Sequence, residues 1–415
     1  GNMSESKTRL TRREFFKLSG ASGLATIAMQ VPRPVRASQT AEQKGLSVVP
    51  RRSFGRTGEM VSSLALGGSQ DLMSKQMLMK QAFKLGVRYW DTAYSYEGGN
   101  SEKAIGKYFT KYPDDRKEIF LATKSSATST QQLTESLGTS LRRMHTAYVD
   151  LFLIHHTSNP KADLTPDVKR WAEDAKARGL IRFFGFSTHS NMARCLLDAS
   201  ELGWIDGIMA SYNYRLMNDS EMKRAVAACQ AAGIGLVAMK TQAKFFSSFY
   251  ADTGKKDAAS EEIADHFMNK GLTPEQAKLK AVWENPHIAS ICSEMPNMTI
   301  LLANVAASAD RKKMSLQDER QLRRYARATA FGYCAGCGCL CESTTREKVP
   351  ISDIMRCLMY DIAYGRHELA RRTFHDILPA SNRHLLMSDF KKAEKRCPQQ
   401  MPIGELLKTA HERLA

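Results

Sequence analysis

Eight times between Ser63 and Ala307 a short apolar or β-branched run is followed by a helical pattern, and that alternation leaves the chain very few folds. The strand-like runs are Ser63–Leu66, Val87–Trp90, Ile119–Ala122, Val149–Ile154, Ile181–Phe186, Gly207–Ala210, Ile234–Met239 and Ile288–Ile291. The helical patterns are Gln76–Leu85, Glu102–Phe109, Leu133–Met144, Pro166–Ala177, Met192–Leu202, Glu221–Ala231, Pro274–Trp283 and Thr299–Ala307. Eight βα units in succession predict an α/β chain of the (β/α)8 type, a closed parallel TIM barrel inside a ring of helices. An open doubly wound sheet would carry a glycine-rich phosphate turn after its first strand, and Leu66-Gly67-Gly68-Ser69 lacks that pattern. Upstream, Ser53 to Val61 reads as an N-terminal β-hairpin with glycines at its turn, placed to plug the barrel floor.

The barrel domain is thus expected over residues 48–312, with something different at each end. Residues 1–37 hold Lys7, Arg9, Arg12, Arg13, Lys17, Arg33 and Arg36 against Glu5 and Glu14. Thr11-Arg12-Arg13-Glu14-Phe15-Phe16-Lys17 is a twin-arginine pattern, and the apolar run Leu18 to Met29 after it is too short to span a bilayer. Val35-Arg36-Ala37 supplies the small residues a signal peptidase reads. The front end is therefore read as a twin-arginine signal peptide, which predicts a periplasmic or otherwise exported protein that meets the membrane only transiently. That route carries folded proteins and suits a chain that acquires a cofactor before leaving the cytoplasm.

Composition changes again after about residue 312. Ser315 to Thr329 is a basic helix, and residues 311–415 carry 20 Lys and Arg against 12 Asp and Glu. A separate module is expected over 313–415. The net charge of +17 is dispersed, with no basic stripe interleaved with aromatics, so no nucleic-acid partner is expected. Between the seventh and eighth strands, residues 241–272 form a long connection with one helical stretch, Ser260–Lys270; connections of that length on this side of a barrel usually serve function.

The chemistry lies at the strand ends. The second run is followed by Asp91 and Tyr96, the third ends Thr123-Lys124, and the fourth ends His155-His156. Each places an ionisable group at the carboxyl end of a strand, the face on which barrel enzymes work. A phenol with an ordinary pKa near ~10 is a poor acid at neutral pH. A neighbouring ammonium lowers that value, a carboxylate holds the ammonium, and a histidine adds a hydrogen bond to a carbonyl oxygen.

With these residues in view, the chain resembles the aldo-keto reductases. The matching segments are Phe54-Gly55-Arg56-Thr57-Gly58, Asp91-Thr92-Ala93 with Tyr96, Asn100-Ser101-Glu102-Lys103-Ala104-Ile105-Gly106, Thr123-Lys124, Asp150 to His155, and Gly185-Phe186-Ser187, spread over about residues 48–308. The resemblance implies an oxidoreductase that interconverts a small-molecule carbonyl and alcohol with NAD or NADP. It implies Tyr96 as general acid, Lys124 and Asp91 as the pair that sets its pKa, and His155, rather than His156, as carbonyl orienter. It also implies cofactor contacts at Ser187, Asn213, Lys240, Ser293 and Asn304. Here Met239-Lys240-Thr241 stands where an aromatic stacker is common, Glu294 where a glycine is usual, and Ile300 where an arginine often grips a 2′-phosphate, so NADP is not favoured over NAD.

Of nine cysteines, Cys195, Cys229 and Cys292 fall on apolar barrel segments and read as small core residues, Cys292 being nearest the cofactor end. Cys334-x2-Cys337-x3-Cys341 with a remote Cys397-Pro398 has the spacing of iron–sulfur ligation, with Cys339 as an alternative ligand to Cys341. Zinc or a disulfide set remains an alternative for the same thiols. Tyr333-Cys334, Val349-Pro350-Ile351, Arg356 to Tyr360, Tyr364-Gly365 and Cys397 to Ile403 also resemble the ferredoxin-like tail of some aldo-keto reductase relatives, which implies a mainly helical module with one 4Fe-4S cluster. Outside the cytoplasm free nicotinamide nucleotide is scarce. The second reading is therefore an exported electron-transfer or binding protein, serving a redox protein partner, on a barrel that no longer uses free NAD(P)H.

Overall fold

Parallel strands β3 (Leu64–Gly67), β4 (Tyr89–Asp91), β5 (Phe120–Ser125), β6 (Val149–Ile154), β7 (Ile181–Thr188), β8 (Gly207–Ser211), β9 (Gly235–Met239) and β10 (Ile288–Ser293) close on themselves, β10 pairing with both β9 and β3. This is the expected eight-stranded barrel. The computed structural model describes residues 48–244, 254–347 and 349–415, all within one compact unit. The expected signal peptide, residues 1–37, lies outside the described residues, as does 245–253 of the long connection. The rest of that connection carries the helix Gly254–Met268, which begins earlier than the expected Ser260. No helix among the described residues is long and apolar enough to cross a membrane.

The barrel is sealed below by its hairpin. β1 (Arg51–Ser53) and β2 (Met60–Ser62) pair antiparallel, and the turn between them pushes Phe54 into the interior, fully buried among Tyr89, Phe120, Leu151, Met209 and Val237. That burial stabilises by about 2 kcal/mol. A Cβ on Gly235 would lie 2.6 Å from the Phe54 ring, so glycine there makes room for the plug. Arg56 donates to the carbonyls of Ala232 and Gly203, tying the turn to the strands above it.

The helices start where side chains can satisfy free backbone N–H groups. Ser129, Thr165, Asp219, Thr273, Asn297 and Ser315 each accept a hydrogen bond from the N–H three residues on. β5 and β7 run on to Ser125 and Thr188, past the expected Ala122 and Phe186. Polar residues there read as strand terminators, yet Thr123, Lys124, Ser125, Ser187 and Thr188 are all buried in the ladder.

Beyond the helix Leu316–Ala328 the tail is helical, chiefly Ile351–Leu358, His367–Ile377, Lys391–Arg396 and Ile403–Leu414. It has its own core of Ile354, Leu358, Phe374, Leu386, Leu406 and Leu407. It lies across the carboxyl end of the barrel: Asn191 N donates to Gly336 O at 2.6 Å, and the Ser190 and Ser352 hydroxyls meet at 3.1 Å. A Cβ on Gly336, whose φ is +72°, would sit 2.5 Å from His189 O; the contact requires glycine.

One buried charge makes the stability of this arrangement pH-dependent. Lys278, on the helix Pro274–Trp283, is 9% exposed with its ammonium 5.4 Å from the Tyr325 ring centre. Burial pushes it from 10.5 down to about 8. Below pH 8 folded and unfolded chains are both protonated and the burial penalty is fully present. As pH rises from about 8 to 10.5 the unfolded chain binds more protons than the folded one, so stability rises. Lys278→Met should therefore stabilise by on the order of 2 kcal/mol at pH 7, and denaturant unfolding should show the gain fading toward pH 10.5. An equal gain at both ends of the range would contradict the assignment.

Candidate active site

Three successive strands converge on one buried ion pair. Lys124, next to last in β5, is 1% exposed and donates to Asp91 Oδ2 at 2.7 Å and to Thr92 O at 2.8 Å. Asp91 ends β4, 2% exposed, and the Cys292 thiol of β10 is a further polar neighbour of it. The chain then turns back, and Tyr96 brings its hydroxyl to 3.5 Å from Lys124 Nζ. His155, just past β6, packs edge-on against the Tyr96 ring with centres 5.7 Å apart. The four expected catalytic side chains are thus together at the carboxyl end of the barrel. His156 stacks on His155 at 3.6 Å and points toward His189.

The electrostatics differ from the simple expectation that the ammonium depresses the phenol. Burial first, then the Asp91 charge, push Tyr96 well above its ordinary 10.0. Burial raises Asp91 against the pull of Lys124. Burial, then His156 and Lys124, hold His155 well below 6.5. At neutral pH the site offers a neutral phenol and a neutral imidazole, both hydrogen-bond donors.

Around this centre, residues of the other motifs act as braces. Glu102, fully buried, accepts from Thr123 Oγ1 at 2.7 Å and pairs with Arg143 at 3.0 Å, fixing the strand end that carries Lys124. Asp150 accepts from Leu121 N and pairs with Arg116 and Arg182. Glu97, His156, Asn191 and Lys240, each just past a barrel strand, have φ between +51° and +65°. Such conformations are costly for non-glycine residues and concentrate at functional sites.

The expected cofactor positions divide into two groups. Ser187 Oγ accepts from His156 N at 3.3 Å, and Asn304 Nδ2 donates to Ser293 Oγ at 3.1 Å, so these line the rim. Asn213 and Lys240 face the tail. Asn213 Nδ2 donates to Tyr333 Oη at 2.9 Å, and Lys240 Nζ lies 4.5 Å and 5.3 Å from the ring centres of Tyr360 and Tyr364. Arg366 bridges the whole mouth, donating to Ser69 beyond β3, to Glu97 at 2.6 Å and to Glu294 at 3.2 Å. Tyr333, Arg356, Tyr360 and Arg366 were not expected at the site. The sequence signal for Tyr333, Arg356 and Tyr360 is their place within the tail motif, and Arg366 lies just outside it.

All nine cysteines are free. The structure brings Cys334, Cys337, Cys341 and Cys397 near enough to act on one another electrostatically. Cys339 is exposed, its N–H donating to Asn191 Oδ1, and Cys357 is fully buried in the tail core. A tetrahedral zinc site with Zn–S near ~2.3 Å sets its sulfurs roughly 3.8 Å apart. Among the described residues, the set of metal-capable side chains whose ligand atoms meet within 4.8 Å is His155, His156 and His189; the tail thiols stand wider.

A closed eight-stranded barrel with this tetrad can be compared with known proteins. Residues 62–316 match the aldo/keto reductase family. The chain belongs to that family. It is 23% identical over 299 residues to L-galactose dehydrogenase of Arabidopsis thaliana, covering 66% of this chain and 92% of that one. A thermostable aldo-keto reductase solved with the inhibitor epalrestat superposes with a TM-score of 0.53 at 27% identity, covering 66% of this chain and 99% of its own. An aldo-keto reductase from Klebsiella pneumoniae solved with NADPH has the same fold, with a TM-score of 0.53 at 20% identity, over 67% of this chain and 95% of its own. The family match stops at residue 316, so the cysteine-bearing tail lies outside it.

Closure of the mouth by Arg366 has a direct consequence. Arg366→Ala removes its bonds to Ser69, Glu97 and Glu294. Fluorescence titration should then find NADPH binding more tightly to the variant than to the parent chain. Equal affinities would contradict a closing role for Arg366.

Proposed function

We propose that this aldo-keto reductase interconverts a carbonyl and an alcohol, with Tyr96 moving the proton. The observation that supports this most strongly is the buried Asp91–Lys124 pair at 2.7 Å with the Tyr96 hydroxyl against it and His155 alongside. A substrate oxygen between the phenol and the imidazole receives two hydrogen bonds that strengthen as negative charge develops there. When a two-electron donor delivers hydride to the carbonyl carbon, the phenol proton passes to that oxygen, and Lys124 stabilises the phenolate left behind. In the reverse direction the phenolate takes the proton of the alcohol while the carbon gives up hydride to a two-electron acceptor.

The electron supply is the finer part of the proposal. Cys334, Cys337, Cys341 and Cys397 would hold a 4Fe-4S cluster, which supplies one-electron transfer when bound. The sequence spacing, Cys334-x2-Cys337-x3-Cys341 with a remote Cys397-Pro398, supports that over zinc. Ser187, Ser293 and Asn304 are available to a nicotinamide nucleotide, but Asn213 and Lys240 are engaged by Tyr333, Tyr360 and Tyr364. The closed mouth does not fit a nucleotide lying across it. That observation favours the second reading, an exported electron-transfer or binding protein whose barrel draws nothing from free NAD(P)H and meets a redox protein instead. The twin-arginine pattern of residues 1–37 supports export.

Tyr96→Phe separates these parts. Turnover of the carbonyl or alcohol substrate should fall by about 10²-fold or more. Iron content and visible absorption of the anaerobically purified protein should match the parent. Undiminished turnover would end the assignment of Tyr96, and iron-free parent protein would end that of the cluster.

A further inference from the structure

We propose that the space between the barrel mouth and the tail is a subsite for a single oxyanion, by its size a carboxylate carried by the substrate, with Arg356 as its anchor. The cavity measures about 40 Å³. On this scale a water needs roughly 10–15 Å³, so there is room for a group of a few heavy atoms and none for a dinucleotide. His189, Ser211 and Lys240 line it from the barrel, and Gly336, Ser352 and Arg356 from the tail. Lys244 completes three lining cations; no carboxylate among the described residues lines it, and the tail contributes the Cys334 thiol to its wall.

Arg356 is the most deeply buried of the lining cations. It is 9% exposed, on the helix Ile351–Leu358, and its Nη2 donates to Asp353 Oδ1 at 3.0 Å. Its guanidinium also hydrogen-bonds Tyr360, and its Nε, enclosed by protein, has no hydrogen-bond partner among the described residues. A guanidinium presents paired N–H groups that match the two oxygens of a carboxylate. On the opposite wall the ammonium of Lys240 is held by the Tyr360 ring at 4.5 Å, a contact that leaves its N–H groups able to reach an anion.

The neutral groups complete the site. Ser211 Oγ lies 3.2 Å from His189 Nδ1, so either can turn a hydrogen toward the cavity. Burial and the Arg356 charge hold His189 well below its ordinary 6.5, leaving it a neutral donor. His155, His156 and His189 converge within 4.8 Å, a spacing that would also suit a metal cation. Lys124, Lys240 and Arg356 all act on these rings, and that surrounding charge repels a cation and attracts an anion. The trio also connects the cavity to the catalytic centre: His189 lines the cavity, and His155 packs on Tyr96. An oxyanion on Arg356 therefore sits one histidine cluster away from the phenol. Calling the anion part of the substrate rests on the carbonyl–alcohol reading above, and it makes the substrate class a carboxylate-bearing carbonyl or hydroxy compound.

The test uses the full chain, purified with its cysteine module intact, and needs no turnover. Acetate and its neutral isostere acetamide are titrated by saturation transfer to their methyl signals, and inorganic phosphate by its 31P linewidth. Acetate should bind saturably and more tightly than phosphate, and acetamide should not bind. Arg356→Gln should weaken acetate by about tenfold or more, the scale of one charge-assisted hydrogen bond. Lys240→Met weakens it from the barrel side and carries the test if the tail variant fails to fold. No saturable acetate binding, equal binding of acetamide, a preference for phosphate, or parental affinity in a folded variant would each overturn the proposal. A Tyr96→Phe variant that stays active would instead count against the catalytic reading alone, because anion binding is measured separately.

Discussion

Asp91 and Lys124 face each other at 2.7 Å under the barrel mouth, 2% and 1% exposed. Two opposite charges so placed lose most of their hydration, and removing either one leaves the other uncompensated, at a cost of about 3–5 kcal/mol. The barrel is built to prevent that. β4 and β5 pair in register through Asp91 and Ala122, and Lys124 is next to last in β5. Glu102 and Arg143 brace the end of β5, and Thr92 O takes a second bond from the ammonium. Tyr96 and His155 share this buried setting: burial first, then the Asp91 charge, keeps the phenol protonated, and burial, then His156 and Lys124, keeps the imidazole neutral.

Much of this was legible in the sequence because barrels announce themselves by repetition. All eight strands lie within a few residues of the apolar runs, and the hairpin plug follows from the glycines around Phe54. The strand ends were placed too early at β5 and β7 because Thr123, Lys124 and Thr188 look like solvent-facing terminators. They are polar for the site's sake and buried for the fold's. The same ambiguity hid the sign of the Tyr96 shift. A lysine five residues into a strand reads as a free cation until its partner is seen at hydrogen-bond distance.

The placement of the tail was not legible at all. Nothing in residues 313–415 says that Tyr333 meets Asn213, that Tyr360 and Tyr364 cover Lys240, or that Arg366 reaches Ser69, Glu97 and Glu294. These contacts join residues 72 to 297 positions apart, and no local pattern encodes them. They explain two departures from the family pattern, however. Glu294 in place of glycine gives Arg366 a partner, and Lys240 in place of an aromatic gives the tail tyrosines a cation. Of the five positions expected to receive a nucleotide, Asn213 and Lys240 meet the tail instead.

The central claim is that burial beside the Asp91–Lys124 pair keeps Tyr96 a neutral proton donor. The ionisation of that one phenol, followed by NMR of 13C-labelled tyrosine with Tyr96→Phe to assign its signal, tests it most directly. The account predicts that the Tyr96 signal stays that of the protonated phenol beyond pH 10, above its ordinary value. A Tyr96 phenolate appearing near neutral pH would contradict it, and would return Lys124 to the role of a free charge.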